Sequence, residues 1–423
     1  MTVATMPVST LFQPLVLPNR AIIPNRLAKA AMEENMATTN HLPSPTLIRL
    51  YRAWAEGGAG LLITGNVMVD RRAMTGPAGV VLQRGADLGP FRQWAEAGRA
   101  GGGQLWMQIN HPGRQMRASL GQETVAPSAV ALDLGSYSKL FAMPRAMTEA
   151  DIADVIGRFA QTATLAEQAG FTGVQVHAAH GYLLSQFLSP LANRRQDRWG
   201  GPLENRARLL LDVVRAVRAA VSSGFCVAVK LNSADFQRGG FAPEEARQVV
   251  AWLNDLAVDL VELSGGSYEA PAMQGEARDG RTLAREAYFL EFAADINQVA
   301  RMPLMVTGGI RRVEVAARVV DSGVAMAGMA TALALAPGLP RAWQRGQGVE
   351  AALPPIRWER KTLAAMGTMA VVKAQLRRLG RGSRPSRTCR PPWPCWPTRC
   401  ASAGAAGNTG AECSGMRLSL VPL

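Results

Sequence analysis

The sequence is poor in the residue types that most often carry enzyme chemistry. Among 423 residues there are four histidines and five cysteines, and aromatic residues make up 6%. No apolar run is long and unbroken enough for a membrane-spanning helix, and the N-terminal MTVATMPVST lacks the basic and apolar regions of a secretory signal. With 48% apolar residues, enough for a substantial core, the composition predicts a soluble, cytoplasmic protein without a membrane partner.

Cysteine and positive charge are concentrated at the C-terminus. From Arg377 onward there are eight arginines and one acid, Glu412, which places half of the net charge of +14 in this tail. The rest is dispersed, so nucleic-acid binding is the weaker interpretation and no nucleic-acid partner is predicted. The cysteine spacings match neither a CxxC pair nor a zinc finger, so no metal site is predicted. Four of the five cysteines lie in the tail: Cys389, Cys395, Cys400 and Cys413.

Composition divides the chain into three parts. Residues 1–350 form the predicted main domain, and 351–380 a helical C-terminal extension. Residues 381–423 show no periodicity and are dominated by Pro, Gly, Ser, Arg and Cys, so we expect this tail to be disordered or artefactual, for example through a reading-frame change.

The main domain alternates short apolar runs with amphipathic stretches. This pattern predicts an α/β fold, and eight such units favour a (β/α)₈ TIM barrel. The competing Rossmann sheet would show GxGxxG after its first strand, where LAKAAMEENMA has no glycine. The predicted strands are residues 27–32, 60–65, 104–110, 173–177, 225–231, 258–265, 303–309 and 323–330.

Two segments fall outside the repeating units. Residues 111–147 insert a long loop after the third strand, on the side of a barrel where active sites are built. Before the first strand, LFQPLVLPNRAIIPNR contains two apolar runs around a Pro-Asn-Arg turn, which predicts a hairpin that plugs the bottom of the barrel.

The stretch VHAAHGY contains two of the four histidines, His177 and His180, followed by Tyr182. Two neutral imidazoles at this spacing can donate to one oxygen, and the phenol can give up a proton. A metal site is an alternative, although no third ligand accompanies the pair, and two structural core histidines are another. The local spacing leaves all three interpretations open.

The longer stretch around these histidines resembles a family signature. HAAHGYLLSQFLSPLANRRQDRWGGPLENR is similar to the H-x-x-[HN]-G-Y-L and F-L-S-P-x-x-N-x-R-x-D-x-[YW]-G-G-x-x-x-N-R motifs of the Old Yellow Enzyme family of FMN-dependent ene-reductases. LFQPL, NRLAKAAM, MQINHPGR and VTGGIR extend the resemblance over residues 10 to 345.

The resemblance implies specific roles at the active site. His177 and His180 would hydrogen-bond the carbonyl of an α,β-unsaturated substrate, and Tyr182 would protonate its α-carbon. NAD(P)H would reduce FMN and leave, and the substrate would then accept hydride at its β-carbon in a ping-pong cycle. The implied FMN-binding residues are Ala30, Ala31 and Met32 beside the flavin ring, Gln108 at its pyrimidine edge, Lys230 near N1 and O2, and Gly308, Gly309 and Thr331 at the phosphate.

The glycine pair also has a reason of its own to bind phosphate. We expect Gly308 and Gly309 to open the helix after the seventh strand, where bare backbone N–H groups suit an anion.

The chain departs from the family pattern at two positions. Ala330-Thr331 stands where relatives have Gly-Arg, which predicts weaker FMN retention. Glu33 stands where Thr or Cys is common, and its carboxylate would disfavour reduced, anionic flavin unless it is protonated or turned away.

We expect a short form without the iron–sulfur segment and second nucleotide-binding domain of longer relatives, in which electrons come directly from NAD(P)H. We expect an FMN-dependent reductase of small-molecule enones. The alternatives are an FMN barrel acting as an NADH oxidase or amine demethylase, and a flavin-poor, non-catalytic binder. The sequence is also compatible with a homo-oligomer.

Overall fold

Eight parallel strands close into a barrel. The computed structural model describes residues 10–272, 287, 289–351 and 361–386, with only the backbone described for 361–366. The strands are β1 (Leu15–Val16), β2 (Ile22–Ile23), β3 (Leu27–Lys29), β4 (Leu61–Ile63), β5 (Val67–Met68), β6 (Val80–Val81), β7 (Gln104–Asn110), β8 (Val125–Ala126), β9 (Arg145–Ala146), β10 (Gly173–Ala178), β11 (Cys226–Asn232), β12 (Leu260–Ser264), β13 (Leu304–Val306) and β14 (Met326–Met329).

The barrel order is β3, β4, β7, β10, β11, β12, β13 and β14, and pairing of β14 with β3 closes the ring. All of these pairs are parallel, so the C-terminal ends of the strands meet at one mouth. The prediction of a (β/α)₈ TIM barrel is confirmed.

Helices surround the barrel, and the first of them begins at a capping residue. The helix over residues 45–56 begins with Pro45 after Ser44, whose hydroxyl accepts a bond from Leu47 N at 3.2 Å. The helices are α1 (Pro45–Glu56), α2 (Gly89–Arg99), α3 (Glu149–Gln168), α4 (Leu183–Leu188), α5 (Leu203–Ala220), α6 (Pro243–Leu253), α7 (Leu290–Asn297), α8 (Val313–Asp321), α9 (Thr331–Leu335), α10 (Leu339–Gln344) and α11 (Lys361–Gly380).

The predicted N-terminal hairpin is present and plugs the bottom of the barrel. Strands β1 and β2 pair antiparallel. Leu17 and Ile23 are buried in one cluster with Trp106 and Met326, which point into the barrel from different strands. The bottom of the barrel is therefore a packed core, and polar chemistry is confined to the opposite mouth.

The insertion over residues 111–147 is anchored to the loop after β12. Arg114 Nη2 lies 2.6 Å from Glu269 Oε2, and both side chains are almost fully buried. Glu269 Oε1 accepts a second bond from Asp133 N at 2.8 Å. This ion pair fixes the insertion over the C-terminal mouth.

The predicted C-terminal extension, residues 351–380, contains α11. This helix packs against α1, where Arg49 Nε donates to Gly380 O at 2.9 Å. Residues 352–360 of the extension lie outside the described residues, as does most of the predicted tail, from 387 to 423. None of the helices in the described part of the chain is both long and apolar enough to cross a membrane.

Candidate active site

A sharp turn at the end of β10 gathers the three predicted catalytic side chains. His177 lies within the strand, and the chain then reverses through His180 (φ 62°) and Gly181 (φ 72°) before Tyr182 precedes α4. A side chain at Gly181 would meet Gln115 and Ser267 atoms at 2.9 Å, so the turn requires glycine for both space and backbone angle. The ring of His177 lies 5.0 Å from that of His180 and 4.9 Å from that of Tyr182, both edge to face.

The backbone fixes the tautomer of His177. Ala179 N donates to Nδ1 at 3.2 Å, so Nδ1 carries no proton. A neutral imidazole must then hold its proton on Nε2. His177 is therefore a hydrogen-bond donor through Nε2.

His180 is held by two neighbouring strands. Its backbone N donates to Asn232 Oδ1 at 3.1 Å, and its Nε2 lies 2.7 Å from Ser264 Oγ. One of its two ring nitrogens is thus engaged with the protein, a contact that the sequence did not predict.

Burial keeps both imidazoles neutral. It lowers the pKa of His177 well below 6.5, and the nearby Lys230 cation lowers it further. The pKa of His180 is lowered by burial first, then by Lys230 and His177. At neutral pH the pair can donate hydrogen bonds but brings no positive charge of its own.

Tyr182 is a buried phenol with two polar neighbours. Its hydroxyl lies 3.0 Å from the Tyr268 hydroxyl and accepts a bond from Asn66 Nδ2 at 3.4 Å. Burial raises its pKa well above 10, and electrostatic interactions with Tyr268 and Glu33 add to that rise. The phenol is therefore protonated at neutral pH, as a proton donor must be.

A polar chain crosses the barrel interior beneath the histidines. Gln108 Nε2 donates to Gln175 Oε1 at 2.8 Å, and Gln175 Nε2 donates to Glu262 Oε2 at 2.8 Å. Lys230 Nζ completes the chain at 2.8 Å from Glu262 Oε1, and both of these side chains are buried. The barrel thus neutralises a buried cation that would be costly if it were unpaired.

The predicted flavin strand, Ala30 to Met32, lies just beyond β3. The ladder ends at Lys29, earlier than the predicted residue 32, although Ala30 N still donates to Met329 O at 2.8 Å. A Cβ on Gly65 would come within 2.1 Å of Met32 O, so the loop after β4 packs tightly on this segment.

The carboxylate of Glu33 is engaged with the protein. The Thr75 hydroxyl donates to Glu33 Oε1, and the negative charge of Glu33 raises the pKa of both Tyr182 and Tyr268. Glu33 therefore favours the protonated form of both phenols.

The proposed phosphate residues lie at the ends of β13 and β14. Gly308 and Gly309 have φ angles of 119° and 70°, which end β13 at Val306 and cannot belong to a helix. The following helix begins only at Val313, so the prediction that this glycine pair opens it is wrong. Thr331 is the exposed first residue of α9.

These residues fit an FMN molecule at the mouth. The positive φ angles of Gly308 and Gly309 leave a backbone without side chains where a phosphate needs a close approach. Lys230 supplies a buried cation and Gln108 a buried amide inside the barrel, on the two strands that flank β10. No group of three or more His, Cys, Asp or Glu side chains within the described ranges is arranged to hold a metal ion.

Sequence comparison assigns the family. Residues 10–348 match the model of the NADH:flavin oxidoreductase / NADH oxidase family. The chain belongs to this family. Membership confirms the Old Yellow Enzyme resemblance and the predictions of an enzyme, of FMN and of NAD(P)H as the electron donor.

Named members of the flavin oxidoreductase family differ in length. An NADH-dependent flavin oxidoreductase of Neonectria sp. is 40% identical, over 78% of this chain and 46% of that protein. One from Aspergillus parasiticus is 38% identical, over 69% of each. This chain therefore spans less than half of the Neonectria protein's length.

A solved structure supports the fold. The old yellow enzyme homologue from Zymomonas mobilis superposes with a TM-score of 0.68 at 26% identity, over 81% of this chain and 95% of that one.

Sequence reasoning missed the partners of the predicted residues. Tyr268, Ser264 and Glu262 all come from β12 or the loop after it, and each contacts a predicted site residue. The available signal was polar side chains within and after a predicted barrel strand, in a chain with only five tyrosines.

Proposed function

We propose that this flavin oxidoreductase uses NAD(P)H to reduce the C=C bond of an α,β-unsaturated carbonyl compound. The observation that carries the proposal is the cluster of His177, His180 and Tyr182, in which two neutral imidazoles and one protonated phenol share a single turn at the mouth. Bound FMN supplies the hydride chemistry. The protein supplies hydrogen-bond donors for the carbonyl and a proton for the carbon skeleton.

The carbonyl oxygen is held by the two histidines. His177 donates through Nε2, because Nδ1 is occupied by Ala179 N–H. His180 can donate through Nδ1 in the tautomer in which Nε2 accepts the Ser264 hydroxyl proton across their 2.7 Å contact. One fixed donor aimed at an oxygen that becomes negative lowers a barrier by about 3–4 kcal/mol.

Tyr182 delivers the proton. As hydride reaches the β-carbon, the α-carbon gains the electron pair of the former double bond and takes the Tyr182 proton. The Tyr268 hydroxyl, 3.0 Å away and only partly buried, then passes its proton to Tyr182 and takes one from solvent, which restores both phenols. The product therefore carries one new hydrogen on each carbon of the former double bond.

FMN would be held by the residues that line the mouth. Gln108 and Lys230 would bind the pyrimidine part of the ring, and Ala30, Ala31 and Met32 would lie beside it. Gly308, Gly309 and Thr331 would hold the phosphate.

An anaerobic titration tests the proposal. The FMN-loaded protein is reduced with NADH, and 2-cyclohexenone or air-saturated buffer is then added while the flavin absorbance is followed. We expect the enone to reoxidise the flavin faster than oxygen does. Faster reoxidation by oxygen would instead support the NADH oxidase activity that the family description includes.

Histidine variants locate the carbonyl site. Replacing His177 by Ala is expected to slow reoxidation by the enone about 10²–10³-fold, since one donor to the developing oxyanion is lost. His41→Ala is the matched control, because His41 contacts Gly79 O and lies away from the cluster. Equal enone rates in His177→Ala and the unchanged protein would contradict the proposed role.

A further inference from the structure

Asn110 is a buried amide that the mechanism above does not use. Its side chain is 0% exposed, and neither Oδ1 nor Nδ2 has a hydrogen-bond partner among the residues that the structure describes. An amide buried without partners destabilises a protein, so such groups usually serve a purpose beyond packing.

The position of Asn110 on its strand directs it into the barrel mouth. Side chains alternate along β7, and Met107 and Ile109 pack in the outer cluster with the helices. Gln108 points inward, where it bonds Gln175, and Asn110 lies on the same face at the C-terminal end of the strand. Next to Asn110, His111 O accepts a bond from Leu183 N at 3.0 Å, which places this strand end beside Tyr182.

Asn66 is a second amide at the same place. Its Nδ2 donates to the Tyr182 hydroxyl, while its Oδ1 is buried and has no partner in the described part of the chain. Val67, the next residue, is in register with Ile109 on β7. Asn66 directly precedes β5 and Asn110 ends the adjacent β7, so both amides lie at the same end of the barrel as the proton donor.

The unused atoms select one kind of ligand group. They are two acceptor oxygens, Asn66 Oδ1 and Asn110 Oδ1, and one donor, Asn110 Nδ2. A hydroxyl group can donate to one of the two oxygens and accept from Asn110 Nδ2, so it uses both kinds of atom in this set. An ether can only accept, and a carboxylate would bring negative charge against two oxygens.

We propose that Asn66 and Asn110 form a polar subsite that binds a hydroxyl group of the substrate. The natural substrate is therefore a hydroxylated enone, whose carbonyl is held at the histidines and whose hydroxyl is held at the amides. This inference rests on the proposed function, because it names the substrate class of the same site.

Binding to the oxidised holoenzyme tests the subsite without turnover. Dissociation constants are measured from the perturbation of flavin absorbance for 2-cyclohexenone and for its 4-, 5- and 6-hydroxy and methoxy derivatives. At least one hydroxy isomer is expected to bind about tenfold more tightly than cyclohexenone and its own methoxy derivative, as one buried hydrogen bond provides. Asn110→Leu is expected to abolish this preference and to leave cyclohexenone binding within about twofold.

Gln104→Leu is the matched control. Gln104 is an amide on the same strand, but at the bottom of the barrel, where its Nε2 donates to Ile22 O at 3.0 Å. This variant should keep the hydroxyl preference. If Asn110→Leu fails to retain FMN, Asn110→Ala removes the same amide with a smaller side chain and should show the same loss.

Three results would overturn the subsite. The first is the absence of any preference for a hydroxyl group. The second is an equal loss of affinity for cyclohexenone and its hydroxy derivatives in Asn110→Leu. The third is a matching loss in the rate of flavin reduction by NADH, which would assign the amides to binding of the electron donor. Enones that bind with this preference but never reoxidise the flavin would overturn the proposed function and leave the subsite standing.

Discussion

At the level of single residues, the site depends on groups that are kept in one protonation state. Tyr182 is buried and Tyr268 is partly buried, and loss of solvent contact together with Glu33 raises the pKa of Tyr268 to about 12. His177 and His180 are held neutral by the same burial. A phenol can therefore act as an acid next to imidazoles that remain donors at neutral pH.

The two tyrosines should differ in their effect on the reaction. Tyr182→Phe removes the proton donor and is expected to slow flavin reoxidation by an enone about 10²–10⁴-fold, whereas reduction by NADH needs no such proton and should be unchanged. Tyr268→Phe removes only the resupplying hydroxyl and should slow reoxidation about tenfold. Stopped-flow measurement of the two half-reactions separates these effects.

Tyr137→Phe provides the control, because Tyr137 lies in the insertion and is 44% exposed. A Tyr268→Phe variant as impaired as Tyr182→Phe would indicate that Tyr268 is itself the acid. Slower reduction by NADH in either variant would point to a disturbed flavin site.

At the level of elements, the turn between β10 and α4 sets the position of the catalytic groups. Gly181 is confined by Gln115 on one side and Ser267 on the other. Gln186 Nε2 on α4 donates to Gly181 O at 2.7 Å, so the helix also fixes the turn. The position of Tyr182 therefore depends on how the loops with Gln115 and Ser267 and the helix α4 pack against this turn.

Gly181→Ala should damage both stability and activity. The left-handed backbone and the 2.9 Å contacts predict a loss of about 1–3 kcal/mol in the free energy of unfolding and slower enone reduction. Gly157→Ala is the matched control, since Gly157 lies in α3 with open space around its Cα and should gain about 0.5–1 kcal/mol. Urea denaturation measures both, and an unchanged midpoint for Gly181→Ala would refute the assigned strain.

Elements with a strong local pattern were predictable. The predicted strand over 104–110 coincides with β7, and the amphipathic sequence LENRARLLLDVVRAVRAA forms α5. The strands predicted over 27–32 and 303–309 are longer than β3 and β13. Apolar residues indicate burial, whereas the hydrogen bonds between strands end where the backbone turns away. At Gly308 and Gly309 that turn is set by φ angles that the apolar pattern does not reveal.

At the level of the whole molecule, contacts between distant segments were beyond prediction. Tyr268 meets Tyr182 across 86 positions of sequence, and His180 meets Ser264 across 84. These pairs exist because the barrel closes and brings the strand ends together. The sequence could indicate which strand ends are polar, but the pairing among them depends on register and loop packing.

Acid should destabilise the whole molecule through its buried histidines. Burial lowers the pKa of His111 from 6.5 to about 4, and lowers those of His177 and His180 well below 6.5. The unfolded chain binds more protons below pH 6.5, so this stability is present above that pH and is lost as the pH falls. For His111 alone the loss between about pH 7.5 and about pH 5 is about 2 kcal/mol.

Urea denaturation over this pH range measures the loss. His111→Gln should have a shallower dependence of the free energy of unfolding on pH. An identical dependence in both proteins would show that His111 is not protonated on unfolding.

The polar chain from Gln108 to Lys230 has a consequence for how this enzyme can change. Its four members come from four neighbouring strands, β7, β10, β11 and β12, and each bond depends on the next. A substitution on one strand leaves an unpaired group on another, so the effects of single changes will not add. These positions must therefore change together, in evolution or in a directed library. A survey of single variants would underestimate the number of sequences that this barrel can accept.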